Sequence, residues 1–301
     1  MDQALMLRKK IVEREEMAQR AAALSKRDVQ QGSHVRVIAV TSGKGGVGKT
    51  NIAANLAYIL SGMKKRTLIL DADMGLANID LILGLTPRYN LYHVLNGEKT
   101  ISETIIRGPG GIMVLPSSSG IQEMSELSKG QKLTLLGELN TLNEDIDFML
   151  IDTAAGIAGN VMYFNAAARE IIVVASSEPT SLTDAYALIK VMYQRHAKKR
   201  FRLLVNMVKS PEEARGVYMR LSAATDHFLN LTIEYLGYVL YDEKLQDAVK
   251  QQKAVAELYP RSPASKCLQS IAGKLCRERP ENDGDGTIEF FWESVVVKKN
   301  G

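Results

Sequence analysis

Short runs rich in Val, Ile and Leu alternate with longer mixed segments along most of this chain, a pattern that suits strands buried on both faces of a sheet. The runs 35–40, 66–70, 111–116, 145–152, 170–175, 201–206 and 232–240 read as strands. Segments starting at 51, and spanning 78–83, 91–97, 131–142, 181–195, 211–230 and 243–277, read as helices. Regular alternation of this kind predicts an α/β fold: a doubly wound, mostly parallel sheet covered on both faces, spanning residues 34–279.

Chemistry is concentrated where strands end. The run 35–40 leads into Gly43, Lys44, Gly45, Gly46, Val47, Gly48, Lys49 and Thr50, then Asn51 and an alanine-rich helix. This fits G-x-x-x-x-G-K-[ST], the phosphate loop, in which glycines let backbone N–H groups converge on phosphate oxygens at a helix N-terminus. Lys49 would reach the β and γ phosphates, and the Thr50 hydroxyl would sit on Mg²⁺. Lys44, at the loop apex, points away from its own nucleotide more easily than towards it.

Two further strands end in acids. Asp71 and Asp73 are two residues apart, so extended geometry aims both at the crevice that holds the loop. One would support the metal's water shell and the other would orient or deprotonate the attacking water; the alternative is that they cap the helix at 78–83. Four apolar residues before Asp152 give a Walker B arrangement, and Gly156 beyond it permits a loop that senses the γ-phosphate. Asn206 ends its strand at the same rim, placed either to contact adenine or simply to form a turn. His93, with no Cys or carboxylate at metal spacing, reads as a surface or core histidine.

Composition narrows the class without deciding it. Among 301 residues, 46% are hydrophobic and 24% charged, and 38 basic residues beside 34 acidic ones give net +4, too mild to imply nucleic acid. Cys267 and Cys276 fall nine apart on one predicted helix, on roughly opposite faces, which argues for free thiols in a reducing compartment. No run approaches about 18 apolar residues, and the charged start lacks the apolar core of a signal peptide, so a cytosolic protein with at most peripheral membrane contact is expected.

Two appendages flank the predicted domain. Residues 1–33 form a charged, helix-prone segment with a thin apolar stripe, expected either as an arm that docks on a partner or as a solvated or packed extra helix. Residues 280–301 begin with an acidic, glycine-rich linker and continue with Ile288, Phe291, Trp292, Val295 and Val296 on one side of a helical wheel. That stripe would suit a lipid interface, while Val295 to Val297 favour strand and docking back on the domain.

Taken together, Lys44 to Thr50, Asp71 and Asp73, Asp152 and Asn206 resemble the deviant Walker A loop and partner motifs of the MinD/ParA ATPases of the SIMIBI class, over about 245 residues. Asp2, Gln3, Ala4, Leu7 and Arg8 are similar to the DQAxxLR arm of the FlhG (FleN) flagellar-number regulators within that group, as are the segments 178–186 and 241–243. The resemblance implies a slow, partner-regulated ATPase with ATP and Mg²⁺ as cofactors. It makes Lys44 a lysine acting across a dimer, Asp73 the water activator, Asp71 and Asp152 the magnesium shell, and Asn206 and Asp242 neighbours of the base.

It further implies an ATP-dependent homodimer and an arm that stimulates an FlhF-type GTPase. A flagellar transcriptional activator or C-ring component is a further expected partner, and the tail would meet the anionic inner face of the cell membrane in the ATP state. Leu240 stands where relatives usually have proline, and the tail is less basic than MinD's. Two alternatives remain: a ParA-like partitioning ATPase holding DNA through Lys190, Arg195, Lys198, Lys199, Arg200 and Arg202, or a MinD-like division-site ATPase.

Overall fold

The computed structural model describes residues 35–117, 126–142 and 145–278. The expected arm and membrane stripe lie outside these residues. The strands are β1 (Arg36–Ser42), β2 (Thr67–Ala72), β3 (Ile106–Arg107), β4 (Met113–Leu115), β5 (Phe148–Ala155), β6 (Glu170–Ala175), β7 (Phe201–Val208) and β8 (Glu234–Leu240). They form one sheet in the order β3-β4-β2-β5-β1-β6-β7-β8, parallel throughout except for β3 against β4. Buried on both faces, β1 and β2 carry no alternation of polar and apolar residues, as parallel strands under two helical layers require.

The helices are α1 (Lys49–Gly62), α2 (Ile79–Leu83), α3 (Leu91–Leu95), α4 (Ile101–Thr104), α5 (Lys129–Asn140), α6 (Gly159–Ala167), α7 (Pro179–His196), α8 (Pro211–Leu229), α9 (Glu243–Lys250), α10 (Val255–Leu258) and α11 (Pro263–Arg277). On one face, Ile52, Leu56 and Leu60 of α1 and Leu268, Ile271 and Leu275 of α11 bury against Ile38, Val40 and Leu150 of the sheet. The other face is covered by α5, α6, α7 and α8 through residues such as Leu135, Phe164, Leu188 and Val217. Each fully buried Leu, Ile or Phe contributes about 1.5–3 kcal/mol relative to exposure, so the layers hold the rim loops on a rigid platform.

Several boundaries differ from the sequence expectation. β2 extends past 70 to include Asp71, and α5 begins at Lys129, where Ser128 and Gln131 form a capping box. The helices expected across 243–277 are three, α9, α10 and α11, with Pro263 starting the last. Both cysteines lie on α11 as free thiols. His93 sits in α3, where its ring closes a capping box with Asn90 and meets Tyr89 edge-on.

The edge at the strand N-termini is closed by ion pairs. Arg36 grips Glu170 with two nitrogens, both at 2.7 Å, and donates to the Leu275 carbonyl and, at 3.1 Å, to that of Glu278. Arg202, 5% exposed, meets Glu278 at 2.6 Å, Glu170 at 3.4 Å and Glu234 at 3.3 Å, the last without hydrogen-bond alignment. These contacts fasten the end of α11 to β1, β6 and β7. They also take Arg202 out of any basic face, and Lys198 is turned to the Ala168 carbonyl at 2.7 Å.

Candidate functional site

The loop 43–48 connects the end of β1 to α1 at the centre of the sheet, and its glycines have distinct duties. Gly46 and Gly48 adopt left-handed φ of +77° and +88°, which Cβ-bearing residues reach at a cost. A Cβ on Gly43 would collide with the Asp184 backbone of α7, so the first glycine permits close approach of that helix. The loop ends at the N-terminus of α1, whose first turn contains no acid and no capping side chain, so its amides remain available to an anion.

Lys49 is 8% exposed at the head of α1. Burial pulls its pKa down, while Asp152 and then Asp73 hold it up. Asp152 lies directly across from Asp71 in the register of β5 against β2, so the two side chains leave the sheet on the same side. Burial pushes Asp152 up to about 7, opposed by a hydrogen bond from Thr50 and the charge of Lys49, with Asp73 adding to the rise. Its Oδ1 is buried without a hydrogen-bond partner. An orphan carboxylate oxygen beside a threonine hydroxyl fits a small hard cation, because Mg²⁺ prefers oxygen ligands and keeps much of its water.

Asp71 is used differently. One oxygen accepts the Asp73 amide at 3.0 Å, the other those of Asn78 and Ile79, both at 3.3 Å. The capping reading of this residue is seen directly, since it receives the first amides of α2, and its carboxylate also faces Asp152. Burial, then the charge of Asp152, raise its pKa well above the ordinary carboxylate value. With both oxygens engaged, any support it lends to a cation passes through water. Asp73 uses Oδ1 to accept from Gly75 and Leu76, at 3.4 and 3.1 Å, and its other oxygen accepts no hydrogen bond among the described residues.

Three expected site residues have partners within the chain. Lys44 turns to α7, where its ammonium pairs with Glu178 and donates to the Thr180 hydroxyl at 3.0 Å. Asn206 donates from Nδ2 to the Val47 carbonyl at 2.8 Å and so braces the phosphate loop. Asp242 caps α9 through the Lys244 amide at 2.9 Å and receives the Ala264 amide at 3.0 Å, so its carboxylate joins α9 to α11. Asn51 keeps a buried Oδ1 with no partner at the loop's exit.

Sequence reasoning did not single out the partner of Lys44. Glu178 lies 134 residues away, and as a residue preceding a helix-initiating proline it reads as a helix boundary. Gly156, expected to open a sensing loop, has φ of +91° and donates to the Ser42 carbonyl at 2.9 Å, which ties that loop to the end of β1. Among the described residues, no group of three or more His, Cys, Asp or Glu stands ready to hold a metal. Thr50 and Asp152 would then share the ion with phosphate and water.

Known proteins match this arrangement. The family described as an AAA domain matches residues 35–205. Antiactivator FleN of Pseudomonas aeruginosa is 44% identical over 262 residues, covering 87% of this chain and 94% of that protein. The flagellum site-determining protein YlxH of Helicobacter pylori is 35% identical over 243 residues, 80% of this chain and 82% of its own length. Among solved structures, MinD in the MinC:MinD complex of Aquifex aeolicus superposes with a TM-score of 0.68 at 27% identity, covering 84% of this chain and 100% of that one. By these matches and the loop geometry above, the chain belongs to the MinD/ParA-type P-loop ATP-binding proteins and is a homologue of the FleN/FlhG flagellar regulators.

Proposed function

We propose that the chain is a slow ATPase switch that sets the number and placement of flagella by cycling between a monomer and an ATP-bound homodimer. The observation that carries this reading is the position of Lys44: a partly exposed cation of the phosphate loop whose ammonium reaches Glu178 and Thr180 at the start of α7. In the dimer it would leave Glu178 and neutralise the triphosphate held by the other copy. Close relatives named as an antiactivator and as a flagellum site-determining protein support the biological assignment.

The chemistry follows from the residues. Loop amides and Lys49 bind the phosphates, and the low exposure of Lys49 keeps its charge effective. Thr50 and Asp152 would hold Mg²⁺, which would supply positive charge to offset that developing on the phosphates. Asp73, through its free oxygen, would orient the attacking water and accept its proton. Asn206 and the turn at Asp242 would border the base.

Residues 1–33, with Asp2, Gln3, Ala4, Leu7 and Arg8, would act as the arm stimulating an FlhF-type GTPase, with 34–279 as the ATPase domain and 280–301 as linker and membrane tail. Two weak tails presented by one dimer would hold an anionic membrane where one does not. Among the described residues no helix is long and apolar enough to cross a membrane. A flagellar transcriptional activator is the further partner in this reading, in keeping with the name of the Pseudomonas relative.

The test has two arms. Asp73→Ala should bind MgATP and accumulate as a dimer in multi-angle light scattering; a variant that stays monomeric at saturating MgATP overturns the switch. Deleting residues 1–24 should abolish stimulation of an FlhF-type GTPase and leave ATP binding intact; full stimulation by the truncated protein overturns the arm.

A further inference from the structure

The end of β1 is held by the segment that runs from β5 into α6. Val40 lies across from Asp152 and Ser42 across from Ala155, so two steps along β1 face three along β5 and the register slips there. Hydrogen bonds bridge the slip. The Thr153 hydroxyl donates to the Val40 carbonyl at 3.2 Å, Asn165 Nδ2 to the Thr41 hydroxyl at 3.0 Å, and the Gly156 amide to the Ser42 carbonyl at 2.9 Å. Thr41, Ser42 and Asn165 are all 0% exposed, so bulk water does not compete for these bonds.

Ser42 also reaches forward, where its Oγ donates to the Lys44 carbonyl at 2.6 Å. That bond matters because packing does little to hold the loop beyond Gly43. A Cβ on Gly45 or Gly46 would find no atom within 4 Å, and both glycines are exposed. Lys44 is instead placed by hydrogen bonds: the Ser42 hydroxyl on its main chain, and Glu178 and Thr180 on its ammonium. One buried residue thus serves two loops, its carbonyl receiving the Gly156 turn and its hydroxyl holding Lys44. A shift of that turn, which carries the 53% exposed Ile157 ahead of α6, acts on the Ser42 peptide and through it on the Lys44 carbonyl.

We propose that Ser42 is the positioning residue that connects the Gly156 turn to Lys44, so that a change at the turn sets where Lys44 stands for pairing with a second copy. This rests on the switch reading above and deepens it by naming the link between the sensing turn and the lysine that acts across the dimer. The Ser42 side chain works through the Lys44 main chain and not on a phosphate. Pairing and ATP affinity therefore separate when its hydroxyl is lost.

The full chain carrying Asp73→Ala is the background for the test. Light scattering across protein concentrations at saturating MgATP reads the strength of pairing, and calorimetry reads the affinity for MgATP. Ser42→Ala should weaken pairing about five-fold, the scale of one hydrogen bond, and change ATP affinity by less than about two-fold. Ser42→Cys keeps the shape of the side chain with a poor donor, so it should fall with Ser42→Ala and not with the parent; it also carries the test if Ser42→Ala does not fold. Pairing of Ser42→Cys at the parent's strength, or ATP affinity falling in step with pairing, overturns the assignment, because shape or general damage to the loop would then be the cause. Lys44→Ala in the same background separates the two levels. If it pairs like its parent, the switch reading falls and this link with it; if it stays monomeric while both Ser42 variants pair fully, the link alone falls.

Discussion

The two rims of the sheet bury charge in opposite ways. At the strand N-termini, Arg36 and Arg202 are surrounded by Glu170, Glu234, Glu278 and backbone carbonyls, opposite charges brought together. At the C-termini, Asp71 and Asp152 stand side by side in register with Asp73 close by; Lys49 is the cation whose charge reaches Asp152 and Asp73, and the buried Asp152 Oδ1 has no hydrogen-bond partner. The first rim needs nothing more to be stable. The second is arranged for something absent from the polypeptide: a cation for the acids and an anion for Lys49 and the loop amides. Burial alone does not mark a functional site; burial with the compensating charge left out does.

The comparison breaks most visibly if the paired rim is unpaired. Arg202→Ala leaves Glu170 to Arg36 alone and takes from Glu278 its 2.6 Å partner, and should cost about 1.5–3 kcal/mol of folding stability, read by urea unfolding, because charge-assisted hydrogen bonds are lost while part of the ion pair survives. Little loss would mean that this rim is as wet as a surface.

The crowded rim should respond to pH with the opposite sign from ordinary acid denaturation. The Asp152 pKa of about 7 in the fold exceeds that of an unfolded aspartate, near 3.8, so the metal-free native state takes up its proton first. Between pH 7 and pH 4 this residue should add stability as pH falls, and that contribution is lost as pH rises through 7. Asp152→Asn should flatten this part of a thermal-melting profile. An unchanged profile would show that Asp152 is not crowded.

The smallest effect belongs to the exposed pair between the rims' logic. Glu178→Gln removes the in-chain partner of Lys44, and because surface ion pairs contribute about 0–1 kcal/mol, folding stability should barely move. Dimerisation at limiting MgATP, followed by light scattering, should rise by at most about five-fold, since Lys44 no longer has to leave a carboxylate.

Much of this was legible in the residues. The phosphate loop and Asp152 announce themselves because their chemistry depends on local order: strand, glycines, lysine, helix; or four apolar residues and an acid. Asp71 was legible only as one of two readings, and the register of β2 against β5 was needed to see that capping α2 and facing Asp152 are compatible. α6 gave no helical signal because nearly all its residues, from Asn160 to Ala167, are buried and no polar face remains to mark the period. β3 is a two-residue edge strand, too short for any pattern. Glu178 and the slip in register at the end of β1 belong to contacts and pairing that form only when distant segments meet.

The central claim is that Lys44 acts on the nucleotide of a second copy. Light scattering of Asp73→Ala and of the double variant Asp73→Ala, Lys44→Ala at saturating MgATP tests it most directly. The account predicts a dimer for the first and a monomer for the second, with ATP still bound by both. A double variant that dimerises as well as its parent would contradict it.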